Sequence, residues 1–253
     1  METRTVRDRA VDGLNEVGAR LLQQIERLIV RASLVPTTPF LDPDTFPWVR
    51  MLEENWKTIR CELDDVLTYR EALPNFQDIS ADQESITDDD RWKTFFFFGY
   101  GFKSEPNCAR CPQTTALLEQ IPGMTTAFFS ILSPHKHIPD HRGPYKGVLR
   151  YHLALMIPEP REACRIRVDD QYANWTEGKS LLFDDSYEHE AWNDSDDIRV
   201  VLFMDVIRPL KSPMKQINSA IIKTISRSPY VGDAKKRHLD WEKKFEELRA
   251  RRN

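Results

Sequence analysis

A mainly β core, arranged as an antiparallel sandwich, jelly roll or barrel with helices at both ends, is the fold class this 253-residue chain predicts. Three observations carry that expectation. From Trp92 onward, short runs rich in Phe, Val, Ile and Leu are broken by Gly, Pro and Asp. Most of these runs have no helix-like stretch between them, which argues against parallel βαβ units. Before and after them, apolar residues recur every three or four positions, the period of a helix.

Taken in order, Val17, Leu21, Ile25, Leu28 and Ile29 fall on one face of a first helix. The following "VPTTPFLDPDTFP" holds four prolines, which exclude a continuous helix. Val49, Leu52, Trp56, Ile59, Leu63, Val66 and Leu67 then mark a second helical face. Both stripes read as packing surfaces, with membrane association of the first helix as the lesser alternative. An acidic linker, "DISADQESITDDDR", leads to the expected strands "KTFFFFGYG", "TAFFSILS", "GVLRYHLALM", "CRIRV", "KSLLF" and "IRVVLFMDVI". The terminal "AKKRHLDWEKKFEELRARRN" reads as a solvated helix with a thin apolar stripe of Leu239, Phe245 and Leu248. A basic docking tail for an acidic partner is its second reading. The organisation expected is a helical segment over 1–70, a β domain over 71–212 and a helical tail over 213–253.

Composition narrows the function classes. A hydrophobic content of 40%, with six Trp and 13 Phe, supports a sizeable core. The net charge of −4 gives no electrostatic case for nucleic acid. No apolar run long enough to span a bilayer and no secretory signal are visible. The four cysteines are expected to be reduced thiols in a soluble, cytoplasmic protein.

Five of the six histidines lie between residues 135 and 189: His135, His137, His141, His152 and His189. Imidazole is the commonest metal ligand and a base near neutral pH, so this clustering points to a site. On a strand, Arg150 and His152 share one face, while Leu149, Tyr151 and Leu153 share the other. Arg199 similarly opens an otherwise apolar strand. A guanidinium facing a core needs an anion, either a ligand carboxylate or an internal Asp or Glu. Two histidines and a carboxylate typify non-haem iron oxygenases, yet the usual His-x-Asp or His-x-Glu spacing fails at "HRG", where Gly143 stands. "CARC" lacks a second pair or a neighbouring His, so Cys108 and Cys111 are taken as structural. "FDDSYEHE" reads as an acid/base cluster or an Asp-rich turn. No P-loop, dinucleotide fingerprint or GxSxG is present.

From Phe129 to Leu210, "FSILSP", "HRGP", "LRYHLALMIP", "TEGKSLLFDDSYEHEAWND" and "RVVLFMDVIRP" together resemble the aspartyl/asparaginyl β-hydroxylase family of Fe(II)- and 2-oxoglutarate-dependent dioxygenases. "KHIPDHRGPYKGVLRYHL" and "WKTFFFFGYG" are also similar to its bacterial branch, which includes lipid A 2-hydroxylases. The resemblance implies a double-stranded β-helix, cupin-like, that binds iron through His141 and His189 alone, with glycine at 143. It implies that Arg199 holds the distal carboxylate of 2-oxoglutarate, that Ser130, Arg150 and His152 contact the cosubstrate, and that Asp185 acts near the iron through water. The activity implied is O₂-dependent hydroxylation of an unactivated C–H bond, first of all the β-carbon of Asp or Asn in a peptide or amino-acid substrate. The alternatives are a fatty-acyl or other small-molecule substrate, or a cupin-like metal- or anion-binding module without turnover. The family's animal members carry a membrane anchor and a helical repeat region, neither of which is visible in this sequence.

Overall fold

Strands that are apolar on both faces need cover on both sides, and the long central strands of this chain read that way. The computed structural model describes residues 22–250 and places those strands in the middle of three layers. In chain order the strands are β1 (Phe40–Leu41), β2 (Trp92–Gly99), β3 (Phe102–Lys103), β4 (Met124–Leu132), β5 (Lys136–His141), β6 (Val148–Met156), β7 (Cys164–Val168), β8 (Gln171–Asn174), β9 (Ser180–Phe183), β10 (His189–Asn193) and β11 (Arg199–Ile207). They form a seven-stranded sheet, ordered β1-β9-β6-β11-β4-β2-β3, and a four-stranded sheet, ordered β5-β10-β7-β8. Every pairing between these strands is antiparallel. The two sheets face one another as a jelly roll, the double-stranded β-helix the resemblance implies.

The helices are α1 (residues 22–32), α2 (Trp48–Glu54), α3 (Trp56–Leu67), α4 (Phe76–Ile79), α5 (Glu105–Arg110), α6 (Pro112–Leu118), α7 (Met214–Ile225) and α8 (Pro229–Ala250). Phe95, Phe97, Phe129, Leu149, Tyr151, Leu153, Leu202 and Met204 point from the large sheet into one core with Val49, Leu52, Ile59 and Leu63 of α2 and α3. Trp92, Phe128, Ala154, Val201 and Phe203 point the other way and meet Ile138, Ile166, Val168 and Ala191 of the small sheet. The "FFFF" run is thus divided between two cores by strand alternation.

Several expectations are corrected. The helix expected across 49–67 is two helices broken at Asn55, whose side chain donates to the Met51 carbonyl at 2.8 Å instead of leaving the backbone unchallenged. In α1, Ile25 and Ile29 pack with Leu210, Met214 and Ile222, but Leu28 is 46% exposed. Val17 and Leu21 lie outside the described residues. The acidic linker 78–91 contains short helical turns. The tail is not solvated throughout. Its α8 buries His238, Glu242 and Phe245, while Leu239 faces solvent. Phe245 packs edge-on to Tyr69, and Ser104 hydrogen-bonds to Glu242, so the line that docks differs from the apolar stripe expected. The side chain of Leu248 is outside the described residues. No helix among the described residues is long and apolar enough to cross a membrane.

Candidate functional site

The inner face of the large sheet is organised in cross-strand rows. Trp92, Leu132 and Arg199 form one row, and Thr94, Ser130 and Val201 the next. Phe96, Phe128, Phe203 and His152 follow, and then Gly99, Thr126, Asp205 and Arg150. At about 7 Å per pair of residues along a strand, Arg199 and Arg150 mark levels about 20 Å apart. Between these levels lies a pocket lined by Ser130, His141, Arg150, His152, His189 and Arg199, together with aromatic and aliphatic side chains. Six of the seven expected site residues therefore line one space. Asp185 stands behind its wall.

His141 and His189 come from the facing small sheet, where they are directly opposed in the β5–β10 ladder. The register shifts by one residue beside them, a bulge that falls on Pro139 and Asp140. Bulges bend a strand and re-aim its side chains, and proline is tolerated there because a ladder donor is not required. The two rings lie 4.1 Å apart between centroids. The Nδ1 of His141 donates to the Pro139 carbonyl at 2.8 Å, and that of His189 to the Tyr187 carbonyl at 2.9 Å. With the proton held on Nδ1, each Nε2 is a free acceptor, the form in which imidazole binds metals. Burial, aided by Arg150, holds both rings below their usual pKa and therefore neutral. This pair suits a divalent transition metal such as Fe(II), for which imidazole is a normal ligand. Among the described residues, no cluster of three His, Cys, Asp or Glu side chains is poised to hold a metal.

Gly143 now has a steric explanation. A Cβ at this position would stand within 2.8 Å of three atoms of the Asp185 carboxyl group. The Gly143 N–H also donates to the Asp185 carbonyl at 2.7 Å, pinning the two backbones together. The space that a carboxylate at 143 would need is already filled. Burial pushes the Asp185 carboxyl up to about 6, against the pull of Arg150 at 2.8 Å.

The two arginines, equivalent in the sequence, are not equivalent in the fold. Arg150 pairs with Asp185 and with Asp205 at 3.0 Å, so the internal-carboxylate alternative holds for it. It lines the pocket with its charge already met. Arg199 is 2% exposed, makes no ion pair among the described residues, and leaves its Nε without a partner. It stacks over Trp175 at 4.1 Å, and burial lowers its pKa to about 10. A buried, unpaired guanidinium costs several kcal/mol, which an anion would offset. Both ring nitrogens of His152 are also unpartnered. Ser130 accepts from Trp92 Nε1 at 3.0 Å, which leaves its hydroxyl proton to donate. The pocket thus presents a cation and two polar side chains with unused capacity.

The remaining histidines lie elsewhere. His135 contacts Asp196, and His137 stacks on Trp192 and meets Glu190, both at the surface. Asp184 of "FDDSYEHE" is occupied by Lys146, Ser186 and Arg208. Cys108 and Cys111 are buried, free thiols with pKa values raised by burial, in keeping with a structural place. Sequence reasoning missed Asp205 and Trp175. Asp205 was legible, because positions 199, 201, 203 and 205 share one strand face.

Comparison with known proteins matches residues 53–209 to the aspartyl/asparaginyl beta-hydroxylase family. The chain is 50% identical over 220 residues to an ornithine lipid ester-linked acyl 2-hydroxylase of Rhizobium tropici, covering 87% of this chain and 78% of that protein. It is 35% identical over 173 residues to the human aspartyl/asparaginyl beta-hydroxylase, covering 66% of this chain but 22% of the human one. To the human aspartate beta-hydroxylase domain-containing protein 2 it is 33% identical, across 69% of this chain and 48% of that protein.

Proposed function

The chain belongs to the aspartyl/asparaginyl β-hydroxylase family, and from that premise we propose that it is an Fe(II)- and 2-oxoglutarate-dependent hydroxylase of a lipid acyl chain. The observation that carries the reaction is the pairing of two neutral, acceptor-ready imidazoles with a buried Arg199 that makes no ion pair among the described residues, all in one pocket. His141 and His189 would hold the iron. Arg199 would bind the distal carboxylate of 2-oxoglutarate, with the Ser130 hydroxyl free to donate beside it. His152 offers a neutral N–H, and Arg150 closes the wall with its charge balanced by Asp185 and Asp205. Iron with 2-oxoglutarate and O₂ supplies the oxidation of an unactivated C–H bond, with succinate and CO₂ as coproducts. The phenylalanine-lined walls exclude water from that chemistry.

The acyl substrate is favoured over an Asp or Asn side chain by the extent of similarity. The Rhizobium relative is matched along most of both chains, beyond the catalytic region, whereas the human hydroxylase is matched along a fifth of its length. The test is incubation with Fe(II), ascorbate and 2-oxoglutarate, supplying ornithine lipid or an Asp/Asn peptide, with succinate and mass both measured. A gain of one oxygen on the acyl chain is the expected result. Oxygen on the peptide alone overturns the substrate, and absence of both iron binding and succinate overturns the reaction.

A further inference from the structure

Charge is distributed unevenly along the chain. Residues 211–237 hold seven Lys and Arg against one acidic residue, Asp233, in a protein of net charge −4. All seven are exposed, and none forms an ion pair among the described residues. Elsewhere the exposed cations are mixed: Arg142 pairs with Glu26, Arg161 with Glu159 and Lys179 with Glu53, whereas Arg27, Arg31, Lys57, Lys243 and Lys244 make no ion pair among the described residues, and no stretch but 211–237 gathers so many with so little acid. The seven cations of 211–237 sit just before and on the outer side of α7, on the α7–α8 turn and on the first turns of α8, where Lys235 also lies over the Phe102 ring.

Apolar side chains stand among them. Ile217 on α7 is 42% exposed, and Leu34, just past α1, is 59% exposed. The end of α1 is tied to this region, because Lys211 donates its N–H to the Ala32 carbonyl and Leu34 donates to the Pro209 carbonyl. Interspersed basic and apolar groups on exposed helices are the composition of a surface that lies on lipid headgroups.

This face also adjoins the catalytic sheet. A cavity of about 280 Å³ lies between the turn after β2 and the α7–α8 turn, lined by Tyr100, Phe102, Arg227, Ser228 and Lys235. Tyr100 follows Gly99, which continues the row of Thr126, Asp205 and Arg150. Burial, with the Asp205 and Asp185 carboxylates adding to it, pushes the Tyr100 phenol well above its usual pKa.

We infer that the outer side of α7, the α7–α8 turn and the adjoining end of α1 dock this protein on an anionic phospholipid bilayer, with the cavity at that turn facing the lipid headgroups. The inference deepens the acyl-lipid reading and rests on it only for what the bilayer presents to the site. Charge complementarity selects this occupant. An anionic leaflet attracts basic residues near its surface, and the exposed Ile217 and Leu34 have an interface to enter.

The full chain is tested by co-sedimentation with vesicles of phosphatidylcholine, with and without phosphatidylglycerol, over a series of salt concentrations. Binding is expected on the anionic vesicles alone and falls as salt rises. Each basic residue removed lowers partitioning about fivefold, so the Lys215→Glu/Lys223→Glu/Arg227→Glu variant loses at least about a hundredfold. An equal charge change elsewhere, Arg50→Glu/Lys57→Glu/Arg161→Glu, loses far less. Circular dichroism and succinate formation without lipid show that both variants are folded. Equal binding to neutral and anionic vesicles overturns the inference. So does undiminished binding by the α7 variant, a self-association that this variant breaks without vesicle binding, or capture by polyglutamate but not by vesicles. Vesicle binding needs no turnover, and hydroxylation of lipid in detergent micelles needs no docking, so the two readings fail separately.

Discussion

Replacing Gly143 by alanine adds one methyl group where the fold has no room. The new Cβ would lie within 2.8 Å of three Asp185 carboxyl atoms, far inside van der Waals contact. Relief is blocked on both sides. Asp185 is 1% exposed and tied to Arg150 at 2.8 Å, while the 143 backbone is bonded to residue 185 at 2.7 Å. The backbone at 143 is not in the left-handed region, so the glycine is required for space alone. Overpacking of this kind costs about 1–3 kcal/mol. In a chain of this size that lowers the thermal midpoint by about 4–8 °C if 2 kcal/mol is taken. Scanning calorimetry of Gly143→Ala, Asp185→Ala and the double variant measures the effect. Removing the Asp185 carboxyl opens the space, so the double variant should be less destabilised than the sum by about 1–2 kcal/mol. Strict additivity, or an unchanged midpoint for Gly143→Ala, refutes the steric account. Gly143→Asp is expected to be at least as destabilising and to gain no iron affinity.

Arg199→Met should raise the 2-oxoglutarate requirement about 10- to 150-fold, the loss of 1.5–3 kcal/mol of charged hydrogen bonding. Without cosubstrate its thermal midpoint should hold or rise, because a buried cation with no carboxylate partner is removed; a fall of several degrees contradicts the unpaired reading. His141→Ala and His189→Ala should each abolish iron-dependent succinate formation and iron retention, as metal analysis after desalting will report. Normal iron content in either variant removes that residue from the site. Burial pushes the Glu242 carboxyl up, but hydrogen bonds from His238 and Ser104 outweigh it and hold it below its usual range. A carboxyl lowered on folding adds stability above its unfolded value, about 4.3, and loses it as pH falls through the folded value. Emission from Trp241, which stacks on Phe245, should therefore report loosening of α8 below that pH. Glu242→Gln should flatten this acid limb, and an identical limb in the variant counts against the assignment.

The large-sheet strands were legible because both of their faces are buried, and continuous runs such as "VVLFM" announce themselves. The small sheet was largely missed. Its β5, "KHIPDH", and β10, "HEAWN", place only alternate residues inward and carry charges outward, and Pro139 argues against a strand. The metal-binding candidates sit on those two strands, so the chemically informative part of the fold was the least readable. The arginines show a different limit. Arg150 and Arg199 each interrupt an apolar strand, but what separates them is that Asp185 and Asp205, 35 and 55 positions beyond Arg150, pair with Arg150 alone. Parity along a strand identifies a face, whereas partners across a sheet require the register.

His141 and His189 are opposed in a ladder, so their separation in space is set by hydrogen bonds between two strands and not by the length of chain connecting them. The intervening segment includes β6 to β9 and several surface turns, where insertions are tolerated. Surface turns within that segment, away from β6 and the Gly143–Asp185 contact, can change length without moving either imidazole. A search that looks for a fixed interval between the two histidines will therefore overlook distant members. One that looks for a bulged strand opposite a His-bearing strand, with glycine two residues after the first histidine, follows the geometry that sets the two imidazoles side by side.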